Sequence, residues 1–313
     1  MSFAVTPSID TGDAGLSRKA QIVAFMRGYS TETTPHQAAK IADYRECVRP
    51  GTTVNVTFLP GTRFAETVDT AIRLRAAGFE PAPHLAARAI VDSDEFETGL
   101  KRLRDEAGVR EVLVIAGGAG QPIGAFHSSM QLLETGLLDR YGIDRIGIAG
   151  HPEGTPDISP DAVAEALAWK NAFAARTDAA FHIVSQFCFD AGPIIAWDKA
   201  IRAAGNGLPI HVGIPGPAKL RTLLSFARSC GIGPSMRMLT RQTSRIAKLL
   251  TVTAPDRMVT ALAAYRAGDP DCGIVRAHVY SLGGLARTTA WADAVADGAF
   301  TMADDSVGFS VDV

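Results

Sequence analysis

The chain has 313 residues, of which 47% are hydrophobic and 20% are charged, and its formal net charge at pH 7 is −2. This composition excludes a disordered or fibrous protein, and the small net charge gives no positive field that would hold nucleic acid or an anionic membrane. The N-terminus lacks the apolar run of a signal peptide, and no stretch approaches the roughly 18 consecutive apolar residues of a membrane span. We therefore expect a cytoplasmic globular protein that binds neither nucleic acid nor membranes.

Short apolar runs rich in valine and isoleucine alternate along the chain with longer stretches of helical spacing. These runs predict eight strands, at 22–31, 54–59, 81–87, 111–117, 145–150, 182–188, 210–215 and 274–281. Helices are predicted between them, for example at 64–77 and after Ser159, where apolar residues recur about four positions apart. Alternating strands and helices favour a parallel sheet, and eight repeats are the number that closes a (β/α)8 TIM barrel.

An open doubly wound sheet is the alternative to the barrel. The span from 216 to 273, between strands seven and eight, is long enough for extra helices, which the spacing predicts at 217–230, 235–249 and 254–267. No linker, repeat or low-complexity segment divides the chain. Residues 1–313 are therefore expected to form one barrel domain with loosely ordered ends at about 1–18 and 300–313.

Polar side chains at the carboxyl ends of the strands are the first candidates for chemistry, because the active sites of barrel enzymes lie there. Glu32 follows strand one, and desolvation in a barrel mouth can raise the pKa of a carboxyl until it serves as an acid near neutral pH. The alternative is a carboxylate in a salt bridge at the rim. His84 and His151 are candidates for proton transfer or hydrogen bonding, although a lone histidine is more often a packing residue.

Glycines end strand four, at Gly117, Gly118 and Gly120, and a helix begins near Ser129. Such glycines allow backbone N–H groups to approach a phosphate or a planar ring. The spacing does not match the dinucleotide fingerprint Gly-x-Gly-x-x-Gly. No His-x-His pair, nucleophile elbow or P-loop occurs, and the cysteines form no Cys-x-x-Cys pair, so a metal site is not expected.

Four motifs in chain order resemble those of methylenetetrahydrofolate reductase, a flavin-dependent barrel enzyme of one-carbon metabolism. They are Ser30-Thr31-Glu32 with Pro35, Pro83-His84-Leu85, Gln186-Phe187-Cys188-Phe189-Asp190 and His278-Val279-Tyr280-Ser281-Leu282. The resemblance runs from about Tyr29 to Tyr280. Each motif alone is weak, whereas four at the expected strands form a specific pattern.

The resemblance implies bound FAD, NADH or NADPH as electron donor (or the oxidised nicotinamide as acceptor), a folate substrate and a homo-oligomer. Glu32 would be the general acid that helps to open the methylene bridge of 5,10-methylenetetrahydrofolate. The residues implied for the substrate are Gln186, Phe226, Tyr280 and Leu282, where Phe226 and Leu282 would stack on substrate or nicotinamide. The residues implied for FAD are Thr57, His84, Gly117, Gly118, Ser129, His151 and Lys170.

One motif departs from the family. Strand four of the family usually ends in Arg-Gly-Asp, and the corresponding stretch here is Ala116-Gly117-Gly118. A carboxylate beside a flavin disfavours the anionic reduced form, so its loss is expected to raise the flavin potential and to ease oxidation of 5-methyltetrahydrofolate. The missing arginine also removes an expected contact to FAD.

Two other functions are consistent with the same residues. A flavin-free pterin-binding barrel that transfers a methyl or one-carbon group would use Glu32 and Gln186 but would leave the strand-four glycines unexplained. A non-catalytic homologue that binds folate or flavin is the third hypothesis, and the lost Arg-Gly-Asp motif makes it conceivable.

Overall fold

Eight parallel strands close into a barrel in the computed structural model, which describes residues 15–118, 120–156, 158–229, 252–305 and 307–312. The barrel strands are β1 (Ser30–Thr33), β2 (Thr53–Val56), β3 (Glu80–Ala86), β4 (Glu111–Ile115), β5 (Arg145–Gly150), β6 (Ala180–Ser185), β7 (Ile210–Pro215) and β10 (Ile274–Tyr280). Strands β1 to β7 are neighbours in chain order, and β10 closes the ring between β7 and β1. The predicted (β/α)8 barrel is therefore confirmed, and the open sheet is excluded.

Helices surround the barrel and connect its strands. They are α1 (Arg18–Met26), α2 (Pro35–Ala38), α3 (Phe64–Ala76), α4 (Ser93–Ala107), α5 (Ser129–Glu134), α6 (Leu137–Arg140), α7 (Pro160–Ala174), α8 (Ala191–Ala203), α9 (Leu220–Ser229), α10 (Asp256–Gly268) and α11 (Leu285–Ala296). Two short antiparallel pairs lie outside the ring, β8 (Ala218–Lys219) with β9 (Val252–Thr253) and β11 (Thr301–Met302) with β12 (Phe309–Ser310). Across the described ranges, no helix has the length and apolarity to span a bilayer.

The segment predicted as the first strand, 22–31, is mostly helical. Helix α1 occupies residues 18–26, with the Ser17 hydroxyl accepting the Ala20 N–H at its start, and only Ser30 and Thr31 of the predicted run lie in a strand. Ile22, Phe25 and Met26 are three and four positions apart and fully buried, a helical period that the sequence interpretation missed. Helix α1 packs against α10 and α11, and this tertiary contact covers its apolar face.

The extra helices between the last two barrel strands are only partly described. Helices α9 and α10 correspond to the predictions at 217–230 and 254–267, whereas 235–249 lies outside the described residues. Near the C-terminus, Phe309 of β12 is buried in the main hydrophobic core, and its ring stacks on that of Trp291 in α11 with centroids 6.3 Å apart. Part of the segment expected to be loosely ordered therefore packs against the barrel domain.

The main hydrophobic core lies between the strands and the helices rather than inside the barrel. Valines and isoleucines such as Val54, Val56, Ile146 and Ile148 belong to this outer core. Alternate residues point into the lumen, where polar groups meet: His278 contacts Ser30, and Arg276 donates to Thr53. Large branched apolar residues usually fill a barrel of this type, so the polar lumen is the feature of this fold that calls for a functional explanation.

Candidate active site

Glu32 is a buried carboxyl at the carboxyl end of β1, with 8% of its surface exposed. The Thr57 hydroxyl donates to Glu32 Oε2 at 2.7 Å, and His278 Nε2 lies 3.8 Å from the same oxygen. Within the described parts of the chain no lysine or arginine forms an ion pair with Glu32. Both Thr57 and His278 approach the same carboxylate oxygen, Oε2.

His84 is a buried neutral histidine with an unsatisfied donor. Its Nδ1 accepts the backbone N–H of Phe58 at 3.4 Å, which assigns the proton of the neutral ring to Nε2. Burial lowers the pKa of His84 to about 4, and nearby Glu32 only partly opposes that effect. Nε2 is buried without a hydrogen-bond partner among the described residues. An unpaired buried donor costs about 1–3 kcal/mol, so its presence beside Glu32 indicates a site for a ligand acceptor.

An apolar cluster forms one side of the barrel mouth, and we call it the aromatic cluster. Its members come from the ends of β6 and β10, from β8 and from α9, and they are Phe187, Phe189, Ala218, Leu223, Phe226, Ala227, Tyr280 and Leu282. The Phe187 ring meets those of Tyr280 and Phe189 edge-on, with centroids 5.0 and 5.6 Å apart. The three predicted substrate residues Phe226, Tyr280 and Leu282 are thus in one cluster, and Gln186 directly precedes Phe187.

The Tyr280 side chain extends from β10 over β7 to β6, because Gly213 of β7 leaves room for its ring. The Tyr280 hydroxyl donates to the Ser185 carbonyl at 3.0 Å. A Cβ at Gly213 would lie 2.8 Å from the Tyr280 ring and 2.4 Å from the Ser185 carbonyl oxygen. A side chain at position 213 would therefore displace Tyr280 from the aromatic cluster.

The opposite side of the mouth consists of Phe58, Ala86, Ala89 and Ile115, from the ends of β2, β3 and β4. Gly117 follows β4 with φ +90°, and a Cβ there would lie 3.2 Å from the Ala86 Cβ. Gly118 has room for a side chain, because its nearest neighbour would be Pro60 Cγ at 3.7 Å. Gly117 is thus required by the backbone and by close packing, whereas Gly118 leaves open space at the end of β4.

A cavity of about 240 Å³ lies beside the barrel, between the ends of β4 and β5 and helices α5 and α7, and we call it the lateral cavity. It contains three of the residues predicted for FAD, and its lining includes Arg88, Ile115, Ser129, His151, Lys170 and Trp197. Ile115 also belongs to the second wall of the mouth, so the two spaces adjoin. None of the described lining residues is acidic.

Two nitrogen groups give the lateral cavity its electrostatic character. Burial lowers the pKa of Lys170 to about 8. Burial and the nearby Lys170 lower the pKa of His151 to about 4, so this ring is neutral at physiological pH. Arg88, whose Nε donates to the His127 carbonyl at 3.0 Å, adds a second cationic side chain to the lining. An anionic group entering this cavity would stabilise the charged form of Lys170 and raise its pKa again.

The structure therefore brings the predicted residues into two adjoining spaces. Around the mouth lie Glu32, Thr57, His84, Gly117, Gly118 and the aromatic cluster, and in the lateral cavity lie Ser129, His151 and Lys170. The sequence analysis assigned no role to Ser30, His278 or Arg88. His278 had a detectable signal, because it is two residues from Tyr280 on the same strand and must share its face.

No known family model matches the chain. Among solved structures, the chain is similar to an uncharacterized protein from Clostridium thermocellum that binds two copies of 5-methyl-5,6,7,8-tetrahydrofolic acid. The two are 11% identical with a TM-score of 0.50, over 90% of this chain and 99% of that one. A candidate lyase/mutase from Burkholderia cenocepacia J2315 is 12% identical with a TM-score of 0.31, over 88% and 86% of the two chains. At this identity the Clostridium thermocellum structure supports the barrel fold alone.

Proposed function

We propose that this protein is an FAD-dependent oxidoreductase that interconverts 5,10-methylenetetrahydrofolate and 5-methyltetrahydrofolate. The observation that carries the proposal is the position of Glu32. This carboxyl has no ion-pair partner among the described lysines and arginines. It accepts a hydrogen bond from Thr57, which precedes Phe58 of one wall, and it lies near His278, whose ring contacts Tyr280 of the other wall. It is therefore available for proton transfer to a planar ligand held between the walls.

The aromatic cluster supplies the surface for the folate. Tyr280, Phe226 and Leu282 offer the flat apolar contacts that a pteridine ring prefers. Gln186, at the end of β6, has an amide that can both donate to and accept from the polar edge of a pteridine. The folate-binding barrel from Clostridium thermocellum provides fold-level support for this substrate class.

Proton transfer is assigned to Glu32 Oε1. Thr57 donates to Oε2, so a protonated Glu32 would carry its proton on Oε1. In the reducing direction this proton assists opening of the methylene bridge to the reactive iminium ion. In the oxidising direction the same carboxylate takes the proton back when the bridge closes.

The residues that line the second wall and the lateral cavity fit FAD. When bound, FAD supplies hydride transfer at N5 between the nicotinamide and the one-carbon unit. His84 Nε2–H would donate to the flavin ring system, Gly117 would let the backbone approach it, and Lys170 with Arg88 would neutralise the pyrophosphate. Ser129 and His151 add polar contacts within the lateral cavity. The electron donor is expected to be NADH or NADPH.

The absorption spectrum of the purified protein tests this proposal. We expect a yellow protein with flavin absorbance near ~450 nm, a band that belongs to the cofactor itself. Anaerobic addition of NADH or NADPH is expected to bleach the band, as is addition of 5-methyltetrahydrofolate. A protein that binds flavin but is not bleached by any of the three would contradict the catalytic role.

The same measurement separates the alternative of a flavin-free barrel that transfers a methyl or one-carbon group. A colourless protein that takes up no FAD on reconstitution, yet binds 5-methyltetrahydrofolate in calorimetry, would favour that alternative. The unpaired Nε2–H of His84 and the cationic lateral cavity favour the flavin-dependent function. A folate bound in the mouth alone would leave the lateral cavity without a ligand.

A further inference from the structure

Helix α7 forms one side of the lateral cavity, and Lys170 is the buried residue of this helix. Val163 and Leu167 lie seven and three positions before Lys170, on the same helical face, and they line the cavity with it. Lys170 has 7% of its surface exposed, whereas the two apolar residues are partly exposed. The face of α7 that lines the cavity therefore carries its amine at the most buried position, where an apolar side chain would be expected.

The amine of Lys170 has no partner in the described part of the chain. No described residue accepts a hydrogen bond from its Nζ or forms an ion pair with it. The described lining contains no carboxylate, and its other charged or titratable side chains are Arg88, His127 and His151. A buried charge without a partner is costly, and a lysine avoids that cost by losing its proton. The surroundings therefore favour the neutral amine, which is the nucleophilic form.

The lateral cavity gives a small molecule access to this amine. Its volume is about 240 Å³, and Ile158 in its lining is 40% exposed, so the cavity reaches solvent on that side. Most of its other lining residues are apolar, Leu167 and Trp197 among them. Desolvation in an apolar pocket is one of the ways in which proteins activate a lysine to attack a carbonyl carbon.

We propose that Lys170 is a nucleophilic amine that forms an imine with aldehydes carrying an anionic group when FAD is not bound. The neutral Nζ adds to the aldehyde carbon, and one proton moves from nitrogen to oxygen to give a carbinolamine. The hydroxyl then leaves with the second N–H proton as water, and a C=N bond remains, so no oxidant or reductant is needed. Arg88, from the segment after β3, is the cationic side chain that would select the anionic group.

This reaction goes beyond the proposed function, and only its consequence for FAD rests on that function. Pairing with the FAD pyrophosphate requires the ammonium form of Lys170, whereas imine formation requires the free amine. One side chain cannot do both at once. An aldehyde held at Lys170 would therefore exclude FAD from the lateral cavity, and bound FAD should protect Lys170 from the aldehyde.

The lowered pKa of Lys170 indicates how selective the reaction should be. With a pKa of about 8, roughly a tenth of Lys170 is free amine at pH 7. An unperturbed lysine, with a pKa of about 10.4, has roughly 10²-fold less free amine at the same pH. A less basic amine is also a weaker nucleophile, so we expect a net advantage of about tenfold over an exposed lysine.

Pyridoxal 5′-phosphate, an aldehyde that carries a phosphate, is the probe for this reaction. The full-length protein is freed of any flavin, incubated with the probe at neutral pH and treated with borohydride, which reduces the imine to a stable secondary amine. Peptide mass spectrometry then measures the label at each lysine. We expect at least about tenfold more label at Lys170 than at the exposed Lys40 and Lys101.

Two controls test the amine and the anionic group separately. Lys170→Arg keeps a cation at this position but has no amine that could form an imine, so the visible absorbance of the bound imine should be lost. Pyridoxal, which lacks the phosphate, should label Lys170 with a much smaller preference over Lys40. The comparison of lysines within the wild-type protein does not depend on the folding of the variant.

Label spread evenly over Lys170, Lys40 and Lys101 would overturn the proposal. An equal preference for Lys170 with pyridoxal would overturn the requirement for an anionic group. Failure of the proposed function has a different signature, which is a protein that takes up no FAD and is still labelled at Lys170. If the protein does take up FAD, unchanged labelling in its presence would contradict the proposed competition between FAD and the aldehyde.

Discussion

The two ends of the barrel lumen carry the same kinds of side chain in opposite electrostatic settings. Each end has one glutamate and two histidines within the described residues: Glu111, His182 and His211 at the amino end, and Glu32, His84 and His278 at the carboxyl end. Arg145 Nε donates to Glu111 Oε2 at 2.9 Å, so the charge of that carboxylate is compensated. Glu32 has a hydroxyl and an imidazole as partners instead.

The amino-end group is consistent with a structural role. The rings of His182 and His211 stack with centroids 4.0 Å apart, and burial lowers the pKa of His182 to about 4. Their nitrogen atoms and a carboxylate oxygen of Glu111 lie within 4.8 Å of one another, a spacing that would allow a metal ion to bind. Two positive groups, Arg145 and Arg276, act on His182 and would repel a cation. The two ends therefore differ in whether an arginine pairs with the glutamate, and not in the types of residue that they contain.

The largest expected effect comes from exchanging each glutamate for glutamine. Glu32→Gln should leave FAD bound but slow folate turnover by roughly 10²-fold or more, the usual scale for general acid catalysis. Glu111→Gln should leave turnover within about twofold and lower the free energy of unfolding by no more than about 1 kcal/mol, because the Arg145 side chain that loses its ion pair is half-exposed to water. Stopped-flow kinetics and denaturant unfolding of both variants measure these effects. Equal turnover in the two variants would remove the proposed distinction between the ends.

Lys170→Met tests the lateral cavity, which lies outside the lumen. The pKa of Lys170 is lowered to about 8, so charging it costs stability below that pH, and the cost disappears as pH rises toward the unfolded value of about 10.4. At pH 7 the variant without cofactor should be more stable by at most about 3 kcal/mol.

The same variant should bind FAD roughly tenfold more weakly. In the wild type, the affinity for FAD should fall above pH 8 as Lys170 loses its proton. Thermal unfolding and fluorescence titration with FAD provide the measurements, and a less stable apo variant would contradict this assignment.

His84→Leu removes the unpaired Nε2–H of His84 at the carboxyl end of the barrel. The unfolding free energy without cofactor should change by no more than about 1 kcal/mol, because loss of the unpaired Nε2–H is offset by the buried Phe58 N–H, which loses its acceptor at Nδ1. FAD affinity should fall roughly fivefold. His182→Leu is the control at the amino end and should lower stability without changing FAD affinity. The opposite pattern, with FAD binding sensitive to His182, would argue that the functional end has been misassigned.

Gly118→Asp gives the smallest effect and concerns the departure from the family motif. The site has room for the side chain, since its Cβ would approach nothing closer than Pro60 Cγ at 3.7 Å. The new carboxylate should lower the flavin midpoint potential by roughly 30 mV, which is about 1.4 kcal/mol for a two-electron couple. Gly117→Ala is not an equivalent change, because its positive φ strains any side chain. An unchanged potential in a spectroelectrochemical titration would contradict the proposed effect of the lost aspartate.

Much of the site could be located from strand ends alone. Glu32, His84 and Tyr280 were predicted to meet because the carboxyl ends of parallel strands share one face of a barrel. Their contacts could not be predicted: Thr57 was expected to touch the cofactor, and its hydroxyl donates to Glu32. The segment 22–31 could not be assigned from its local pattern, because its apolar residues fit either a strand or a helix. Packing against α10 and α11 favours the helix.

By itself, the sequence determined most of the alternation of strands and helices and the set of polar residues at the strand ends, because these depend on period and on order along the chain. It favoured the closed barrel over an open sheet, and the pairing of β10 with β1 decided between them. Only the tertiary structure decided which charges are compensated, which nitrogen of His84 carries its proton and where the lateral cavity lies. Those properties arise from contacts between residues far apart in the chain, such as Ser30 with His278 and Arg145 with Glu111. The physical reason is that burial and partner geometry set the energy of a charge, and neither is a property of a short segment.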